Sequence, residues 1–242
     1  MVFRQCSIGG KAYRGDHVTL DIDEESKTDS KAHIHITTSS TTGNSASGTP
    51  SDTSFHFEDS TLKADLEEAL SENPNPDNST LARSINGFFT VLALCHSVLT
   101  SVDPITGAIQ YKAQSPDEAA LVQAAADVGF VFLSRERGIL SLRTPSSPDV
   151  ERYELLNILE FTSARKRMSV ILRKLDEQDS RIFLLTKGAD NVIFERLKAG
   201  SEELKATTET HLSEFANEGL RTLTLAYKVI SGAYCLYQLS RF

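Results

Sequence analysis

The 242-residue sequence contains no tryptophan, and it has only two methionines and three cysteines. The cysteines, at positions 6, 95 and 235, are too few and too scattered for the disulfide framework of a small secreted protein. Long hydrophobic runs are also missing: polar residues interrupt the most apolar stretch, residues 88–102, which is shorter than the roughly 20 residues of a spanning helix. No basic start leads into an apolar segment, so we expect neither secretion nor a membrane span, and a reducing compartment fits the cysteine content.

Positive charge is scarce as well. The 25 lysines and arginines are outnumbered by 33 aspartates and glutamates, which gives a formal net charge of −8. Nucleic acids and anionic membrane surfaces are bound through clustered cations, so the charge balance argues against both as partners. With 40% hydrophobic and 24% charged residues, the chain has an ordinary soluble composition and is long enough for one large core or two small ones.

Composition divides the sequence into four segments. Residues 1–20 combine apolar residues with glycine-containing turns and predict strands. Residues 21–54 begin with an acidic run and, from residue 37 onward, contain no aromatic or branched aliphatic side chain, so we predict a disordered insertion there. Residues 55–230 have the periodicity of a folded domain, and residues 231–242 form an atypical C-terminal tail.

The folded segment begins with two predicted helices. The first carries leucines at positions 62, 66 and 70, with Ser60 placed to cap its N-terminus. The second runs from residue 81 or 86 to Leu99 and has Phe88, Leu92, Cys95 and Leu99 on the same stripe. A turn at residues 103–107 then leads into a hairpin-like piece.

Three local signals agree on a third helix. Ser115 suits the N-cap and Pro116 suits the first helical position. Glu118 completes a capping box with Ser115, and this role alone accounts for Glu118. Gly129 suits the position just past the C-terminus, so the helix is predicted to lie between these residues.

Consecutive strands dominate the rest of the folded segment. They are predicted at residues 130–135, 138–143, 152–161, 166–173 and 181–187. Two helices follow, one starting at Asp190 and one capped by Ser201 and closed by Gly219, before a last strand that begins at Leu223. Because consecutive strands favour antiparallel pairing, the predicted fold class is α+β, with a mostly antiparallel sheet flanked by helices.

The common phosphate-binding and catalytic motifs are absent. The sequence has no G-x-x-x-x-G-K-S/T, G-x-G-x-x-G, G-x-S-x-G or H-E-x-x-H. His33, His35 and His56 have no cysteine nearby and are interpreted as solvated, so no metal site is predicted. Asp21 and Asp23 loosely match the D-x-D of some phosphotransferases, but an acidic run continues beyond them, and no catalytic residue is predicted.

Three segments remain candidates for a binding site. Residues 161–169 place an aromatic ring, hydroxyls and three cations at a turn, which suits stacking on a base and contact with phosphates. Residues 184–190 end an apolar strand in a lysine and a glycine, and such a lysine can point into a cleft. Residues 219–223 place an arginine after a helix. Each also has a structural explanation: a core phenylalanine with a solvated basic turn, a strand-end lysine before a tight turn, and a helix C-cap.

Five segments, in their order and approximate spacing, resemble the phospholipid-translocating P-type ATPases, or lipid flippases. They are MVFRQCSI (1–8), QSPDEAAL (114–121), FTSARKRMSV (161–170), KGAD (187–190) and GLRTL (219–223). The SPDE and RKRMS sequences favour flippases over ion pumps. The resemblance covers residues 1–20 and about 55–230, and it implies the nucleotide-binding domain fold of that family.

The resemblance also implies a binding site for ATP. In it, Phe161 would stack on the adenine, Lys187 would lie at the base and ribose, and Glu118 would contribute near the adenine. Ser163 and Lys166 would line the pocket, and Arg221 with Thr222 would reach toward the phosphates. The full set of implied nucleotide-binding residues is Glu118, Phe161, Ser163, Lys166, Lys187, Arg221 and Thr222.

The sequence departs from the family in what it lacks. The phosphorylated aspartate of the family lies in an Asp-Lys-Thr-Gly-Thr segment, which is expected just before Met1, so residues 1–20 would lead from a missing phosphorylation domain. The magnesium-binding aspartates and the membrane helices are absent too, so we expect ATP binding without turnover, with magnesium only in the intact parent. The partners implied are the phosphorylation and actuator domains of the parent, at the cytosolic face of a membrane, with no direct membrane contact from this chain.

Three alternatives stay open at this level. The chain can be a non-catalytic interaction module that keeps the fold but not the ligand. It can be a stand-alone phosphotransferase that uses Asp21 and Asp23. It can also be a truncated product without a function, since the tail at residues 231–242 replaces the usual continuation of the family.

Overall fold

The computed structural model describes residues 1–16, 56–71, 79–176 and 180–230. The predicted insertion at 21–54 and the predicted tail at 231–242 lie outside these residues, and so do Asp21, Asp23, His33 and His35. In chain order the elements are β1 (Cys6–Ile8), β2 (Lys11–Tyr13), α1 (Ser60–Ala69), α2 (Ser79–Leu94), β3 (Leu99–Val102), β4 (Ile109–Lys112), α3 (Pro116–Asp127), β5 (Val131–Glu136), β6 (Ile139–Arg143), β7 (Glu151–Leu159), β8 (Arg167–Lys174), β9 (Ile182–Gly188), α4 (Asp190–Phe194), α5 (Glu202–Asn217) and β10 (Thr224–Ile230).

A six-stranded antiparallel sheet with the order β10-β9-β8-β7-β6-β5 forms the centre of the fold. Each strand pairs with the next strand in sequence, as expected when strands follow one another through short connections. Only β9 and β10 are separated by helices, α4 and α5. Two small hairpins, β1-β2 and β3-β4, complete the strands of the described residues. The predicted α+β class, with a mostly antiparallel sheet flanked by helices, is confirmed.

The pairing of β8 with β9 fixes the centre of this sheet. Met168 and Val170 are buried, as their alternation predicts, and Met168 pairs with Lys187 in the register. Between them, Ser169 points to the opposite face and pairs with Thr186. Both of these polar residues are buried, and the Thr186 hydroxyl donates to Ser169 Oγ at 3.0 Å, so neither polar side chain is left unsatisfied.

Helix α2 supplies the largest helical part of the core. Ile85, Phe89 and Leu92 are almost completely buried, and the helix packs against α3 and against the strands β9 and β10. The ring of Phe89 stacks on Phe130, with 5.5 Å between the ring centroids. Burial of one large apolar side chain stabilises a fold by about 1.5–3 kcal/mol, so this layer contributes much of the stability. No helix in the described ranges is long and apolar enough to cross a membrane.

The limits of the first two helices differ from those predicted. Asp59, not Ser60, is the N-cap of α1, because its carboxylate accepts a hydrogen bond from the Leu62 amide at 2.7 Å. Helix α2 starts at residue 79 and ends at residue 94, so placing Leu99 on its stripe was wrong: Leu99 begins β3 and is 64% exposed. The cause is His96, whose ring bonds to nearby backbone groups and competes with the helix.

Helix α3 begins where the sequence predicts, but its capping box does not form. Ser115 is the N-cap residue and Pro116 is the first helical residue. The Ser115 side chain makes no capping hydrogen bond. The Glu118 carboxylate bonds to Ser97 and Lys187 instead of reaching back along the helix. The capping box was therefore the wrong explanation for Glu118.

Two glycines end helices in the predicted way. Gly129 has a φ of +97° after α3 and Gly219 has a φ of +76° after α5, both in the left-handed region that favours glycine. At each end, the amides of the glycine and of the next residue bond to carbonyls of the last helical turn, which is a Schellman motif. Ser201 is the N-cap residue of α5, although its side chain makes no capping hydrogen bond.

The N-terminal hairpin β1-β2 is attached to the domain by polar contacts. Strands predicted within residues 1–20 are confirmed at 6–8 and 11–13. The Tyr13 hydroxyl and the Lys11 ammonium both donate to Asp65 of α1, at 2.7 Å and 2.6 Å. Arg14 pairs with Glu214 of α5 and with Glu218, the C-cap residue of α5. These contacts join the first residues of the chain to helices that follow much later in the sequence.

Candidate functional site

An open groove of about 1110 Å³ passes the end of the sheet at which β9 finishes. It extends from the N-terminal hairpin and α5 to the loop between β7 and β8. Six of the seven residues predicted to bind a nucleotide line this groove: Glu118, Phe161, Lys166, Lys187, Arg221 and Thr222. Ser163, the seventh, is exposed on the turn after β7 and is not among the lining residues.

A buried ion pair lies at the floor of the groove. Lys187 Nζ, at the end of β9, is 2.9 Å from Glu118 Oε1, in the first turn of α3. The two side chains are only 9% and 16% exposed. Charges this far from water need a partner, because an unpaired buried charge costs several kcal/mol. The pair therefore joins the sheet to α3 at the point where both border the groove.

Ser97 gives the Glu118 carboxylate a second partner. Its hydroxyl donates to Glu118 Oε2 at 2.7 Å, and its amide lies 3.4 Å from the same oxygen. Burial on its own raises the pKa of the Glu118 carboxyl, but the hydrogen bonds from Lys187 and Ser97 outweigh it and hold the pKa below its usual range. The carboxylate is therefore ionised and fixed through both of its oxygens.

Phe161 stands in the loop between β7 and β8, not in a strand. Strand β7 ends at residue 159 and β8 starts at residue 167, so the predicted strands 152–161 and 166–173 were too long at this end. Phe161 is 61% exposed while it lines the groove, which rules out the alternative of a core phenylalanine. An exposed aromatic ring at a groove is available for stacking on a flat ligand.

Lys166 closes this loop in an uncommon backbone conformation. Its φ is +51°, in the left-handed region, and its amide bonds to the Thr162 carbonyl at 2.7 Å. Its own carbonyl accepts from the Ala189 amide at 3.0 Å. Gly188 makes this approach possible, since a Cβ there would lie only 2.6 Å from Lys166 O. The glycine after Lys187 thus brings the basic loop against the end of β9.

Arg221 reaches the groove from the segment that follows α5. Its Nη1 lies 2.6 Å from Asp117 Oδ2, in the first turn of α3. The Arg221 side chain is 79% exposed and that of Asp117 is 29% exposed, so the pair is open to solvent. Thr222 lines the groove beside it. The helix C-cap explanation also holds for this segment, because Gly219 ends α5.

Five cationic residues line this groove: Arg4, Lys166, Lys187, Lys205 and Arg221. The whole protein has a net charge of −8, so this concentration of positive charge is local. Asp117 and Glu118 partly compensate for it. The arrangement suits a ligand that has one flat apolar part and one anionic part, because cations attract the anion while the aromatic ring covers the flat part.

The sequence did not predict two of the residues that shape this site. Asp117 lies within the SPDE sequence, but its pairing with Arg221 depends on a contact made in the folded chain. Ser97 is one of the polar residues that interrupt the apolar stretch 88–102, and its bond to Glu118 also forms only in the folded chain. No local signal identifies either role, since both partners are distant in sequence.

Other polar groups near the core have structural partners. Burial raises the pKa of the Cys95 thiol to about 12, and its Sγ lies 3.7 Å from the Leu185 carbonyl oxygen. Burial lowers the pKa of His96 to about 4. His56 bonds to Asp127, with 2.6 Å between Nδ1 and Oδ1. Within the described ranges, no three His, Cys, Asp or Glu side chains are grouped so that they could hold a metal ion.

Comparison with protein families decides the identity of this domain. Residues 84–240 match the family model of the P-type ATPase cytoplasmic domain N. The chain belongs to the P-type ATPase cytoplasmic domain N family. The match covers more than half of the 242 residues and includes every groove residue from Glu118 to Thr222. The α+β architecture described above is accordingly that of a domain N.

Domain N of this chain is similar to parts of several phospholipid-transporting ATPases. It is 40% identical over 232 residues to probable phospholipid-transporting ATPase 12 of Arabidopsis thaliana, in a match that covers 94% of this chain and 18% of that protein. It is 38% identical over 240 residues to probable phospholipid-transporting ATPase IM of Homo sapiens, in a match that covers 97% of this chain and 17% of that protein. The chain is 51% identical over 145 residues to phospholipid-transporting ATPase dnf2 of Schizosaccharomyces pombe. This match covers 60% of the chain and 10% of that protein. The chain thus spans less than a fifth of the length of each of these relatives.

Proposed function

We propose that this domain N binds ATP in the groove between α3, the β7–β8 loop and residues 219–223. The observation that carries the proposal is that an exposed aromatic ring, Phe161, shares one groove with Lys166, Lys187 and Arg221. Stacking of a base on an aromatic side chain is worth about 1–3 kcal/mol. Three cations complement the charge of a triphosphate in a protein that is otherwise acidic.

The contacts described above support a role for each part of the groove. Phe161 stacks on the adenine, and the fixed carboxylate of Glu118 accepts a hydrogen bond from the base. Lys187 lies beside Glu118 and serves the base and ribose side. Lys166 lies on the same loop as Phe161, and Arg221 with Thr222 extends toward the phosphates from the segment after α5.

In a whole phospholipid-transporting P-type ATPase, we propose that this domain holds ATP for transfer of the γ-phosphate to an aspartate of the phosphorylation domain. Phosphoryl transfer needs an acceptor, a metal ion and positioned phosphates, and this domain supplies the positioning. Magnesium would be held by residues outside these 242. Its partners would be the phosphorylation and actuator domains on the cytosolic side of the membrane, and the energy would serve phospholipid transport.

A titration of the 242-residue chain with ATP, followed by backbone amide NMR shifts, tests the proposal. We expect shifts at Phe161, Lys187 and their neighbours that saturate in the millimolar range. Inorganic tripolyphosphate should shift mainly the amides near Lys166 and Arg221, because it lacks the base. The β3–β4 hairpin, whose tip carries the 93% exposed Ile105, is the internal control and should not respond. Absence of shifts at millimolar ATP would sink the proposal and favour a non-catalytic interaction module.

Turnover is measured separately, by release of phosphate from ATP in the presence of magnesium. We expect none from this chain, since no Asp-Lys-Thr-Gly-Thr sequence occurs in it. Magnesium-dependent release of phosphate that disappears in Asp21→Ala would instead support the phosphotransferase alternative.

A further inference from the structure

The Glu118 carboxylate is held through both of its oxygens. Lys187 Nζ is 2.9 Å from Oε1, and the Ser97 hydroxyl is 2.7 Å from Oε2. The Ser97 amide, at 3.4 Å, is a second donor to Oε2. A carboxylate oxygen has two lone pairs, so Oε1 can accept one further hydrogen bond. Lys187 and Ser97 together set the plane in which the remaining lone pair of Oε1 lies, and Glu118 lines the groove.

Lys187 by itself does not fix this plane. An ammonium group is a compact charge on a flexible stem, and it tolerates rotation of the carboxylate around it. The Ser97 hydroxyl is different, because its position is set by the backbone between α2 and β3. That backbone is held by buried His96, which accepts from the Val98 amide at 3.1 Å and donates to the Ala93 carbonyl at 2.7 Å.

We propose that Ser97 is a positioning residue that acts through Glu118 to make the groove selective for a purine with a 6-amino group. This inference rests on the proposed ATP binding. The exocyclic amine of adenine presents N–H donors, and a correctly turned carboxylate accepts one of them. A site built to bond a donor rejects a ligand that lacks it, because the buried acceptor then loses a hydrogen bond.

The test compares ATP with purine riboside triphosphate, which differs only in having hydrogen in place of the 6-amino group. Dissociation constants are measured by calorimetry for the 242-residue chain and its variants. For the unmodified chain we expect ATP to bind about tenfold more tightly, as for one hydrogen bond to a charged acceptor. In Ser97→Ala the ratio should fall to about threefold or less, mostly through weaker ATP binding, since the short hydroxyl bond that orients the carboxylate is lost and only the longer amide contact remains on Oε2.

Further variants separate positioning from a merely structural role. Ser97→Thr keeps the hydroxyl and should keep the ratio, whereas Ser97→Cys has a weak donor and should lower it. In a Glu118→Gln background the Ser97→Ala change should lower the ratio no further, because the group through which it acts is gone. Ser213→Ala is the matched control: its hydroxyl bonds to the Glu209 carbonyl within α5, away from the groove.

Each outcome decides between the ideas. If Ser97→Ala weakens both ligands equally, or if the ratio in the unmodified chain is near one, the inference is overturned while ATP binding stands. If the unmodified chain binds neither triphosphate, the proposed function fails, and this inference fails with it. If circular dichroism shows that Ser97→Ala does not fold, Ser97→Cys and Ser97→Thr replace it. A lower ratio of the two dissociation constants in Ser97→Cys than in Ser97→Thr then supports the inference, and equal ratios overturn it.

Discussion

Arg221 and Asp117 form an ion pair beside the groove, with 2.6 Å between Nη1 and Oδ2. The pair connects the segment after α5 to the first turn of α3. It occupies the guanidinium that we assign to the phosphates, and it places a carboxylate where a triphosphate would approach. A nucleotide bound as proposed would therefore compete with Asp117 for Arg221.

We expect Asp117→Asn to strengthen ATP binding. The change removes both the competitor for Arg221 and a repulsive charge, but the pair is open to solvent, so the gain should be only about two- to fivefold. Calorimetry at low and at high salt checks this, because the gain should shrink as salt screens the charges. Asp149→Asn, at an exposed aspartate in the connection between β6 and β7, is the control and should change nothing. Weaker binding by Asp117→Asn would mean instead that Asp117 holds Arg221 in its productive orientation.

Phe161→Ala should weaken ATP binding without unfolding the domain. The lost stacking corresponds to about 1–3 kcal/mol, or roughly a five- to 150-fold higher dissociation constant. The ring is 61% exposed, so the free energy of unfolding should change by no more than about 0.5 kcal/mol. Ile105→Ala, at a 93% exposed residue away from the groove, is the matched control for loss of an exposed apolar side chain. Equal ATP affinity in both variants would exclude stacking on Phe161.

Buried His96 makes stability depend on pH. Burial lowers its pKa to about 4, whereas a histidine in an unfolded chain has a pKa of about 6.5. Between these values the unfolded chain binds the proton more readily, so this part of the stability is complete above about pH 6.5 and is lost as the pH falls toward the folded-state pKa. We expect a loss of about 2 kcal/mol in the free energy of unfolding between about pH 7.5 and about pH 5.

Urea denaturation at these two pH values measures the effect. His96→Gln cannot take up the proton, so its stability should fall less on acidification than that of the unmodified chain. His56→Gln, at a histidine whose side chain is 51% exposed, is the comparison variant. The same pH dependence in His96→Gln as in the unmodified chain would contradict this account.

Gly188→Ala should disturb the contact between β9 and the basic loop. The new Cβ would lie 2.6 Å from both Lys166 O and Arg167 Cβ, so backbone must move. Crowding of this kind costs about 1–3 kcal/mol, and displacement of Lys166 should also weaken ATP binding. Gly107→Ala has open space around it but a φ of +69°, so it should cost about 1 kcal/mol at most and leave ATP affinity unchanged. Urea denaturation and calorimetry of both variants check the difference.

Local signals in the sequence predicted the ends of an element correctly where those ends depend only on residues of that element. Pro116 and Gly129 bound α3 correctly, because one suits only the first turn and the other suits only a left-handed residue after the last turn. The alternation at Met168 and Val170 likewise predicted a buried strand. The end of α2 was predicted wrongly, since it depends on the way the His96 ring bonds to backbone after the chain has folded.

The site was harder to predict than the fold because its residues meet only through tertiary contacts. Glu118 and Lys187 are 69 positions apart, and nothing in the sequence near Glu118 competes with a capping box as an explanation. Alternation could not decide whether Phe161 is buried, because it lies in a loop just past the end of β7. The family resemblance brought these residues together, and the structure then placed six of the seven in one groove.

The hydrogen bond between the hydroxyls of Thr186 and Ser169 has a consequence for the groove. Side chains alternate along a strand, so a slip of β9 by one residue would turn Lys187 away from Glu118 and present Thr186 to the groove. In any register other than the native one, these two buried hydroxyls would lose each other as partners. The polar pair in the sheet interior thus favours the native register of β9, and this register is the one that places Lys187 beside Glu118 on the opposite face, at the groove.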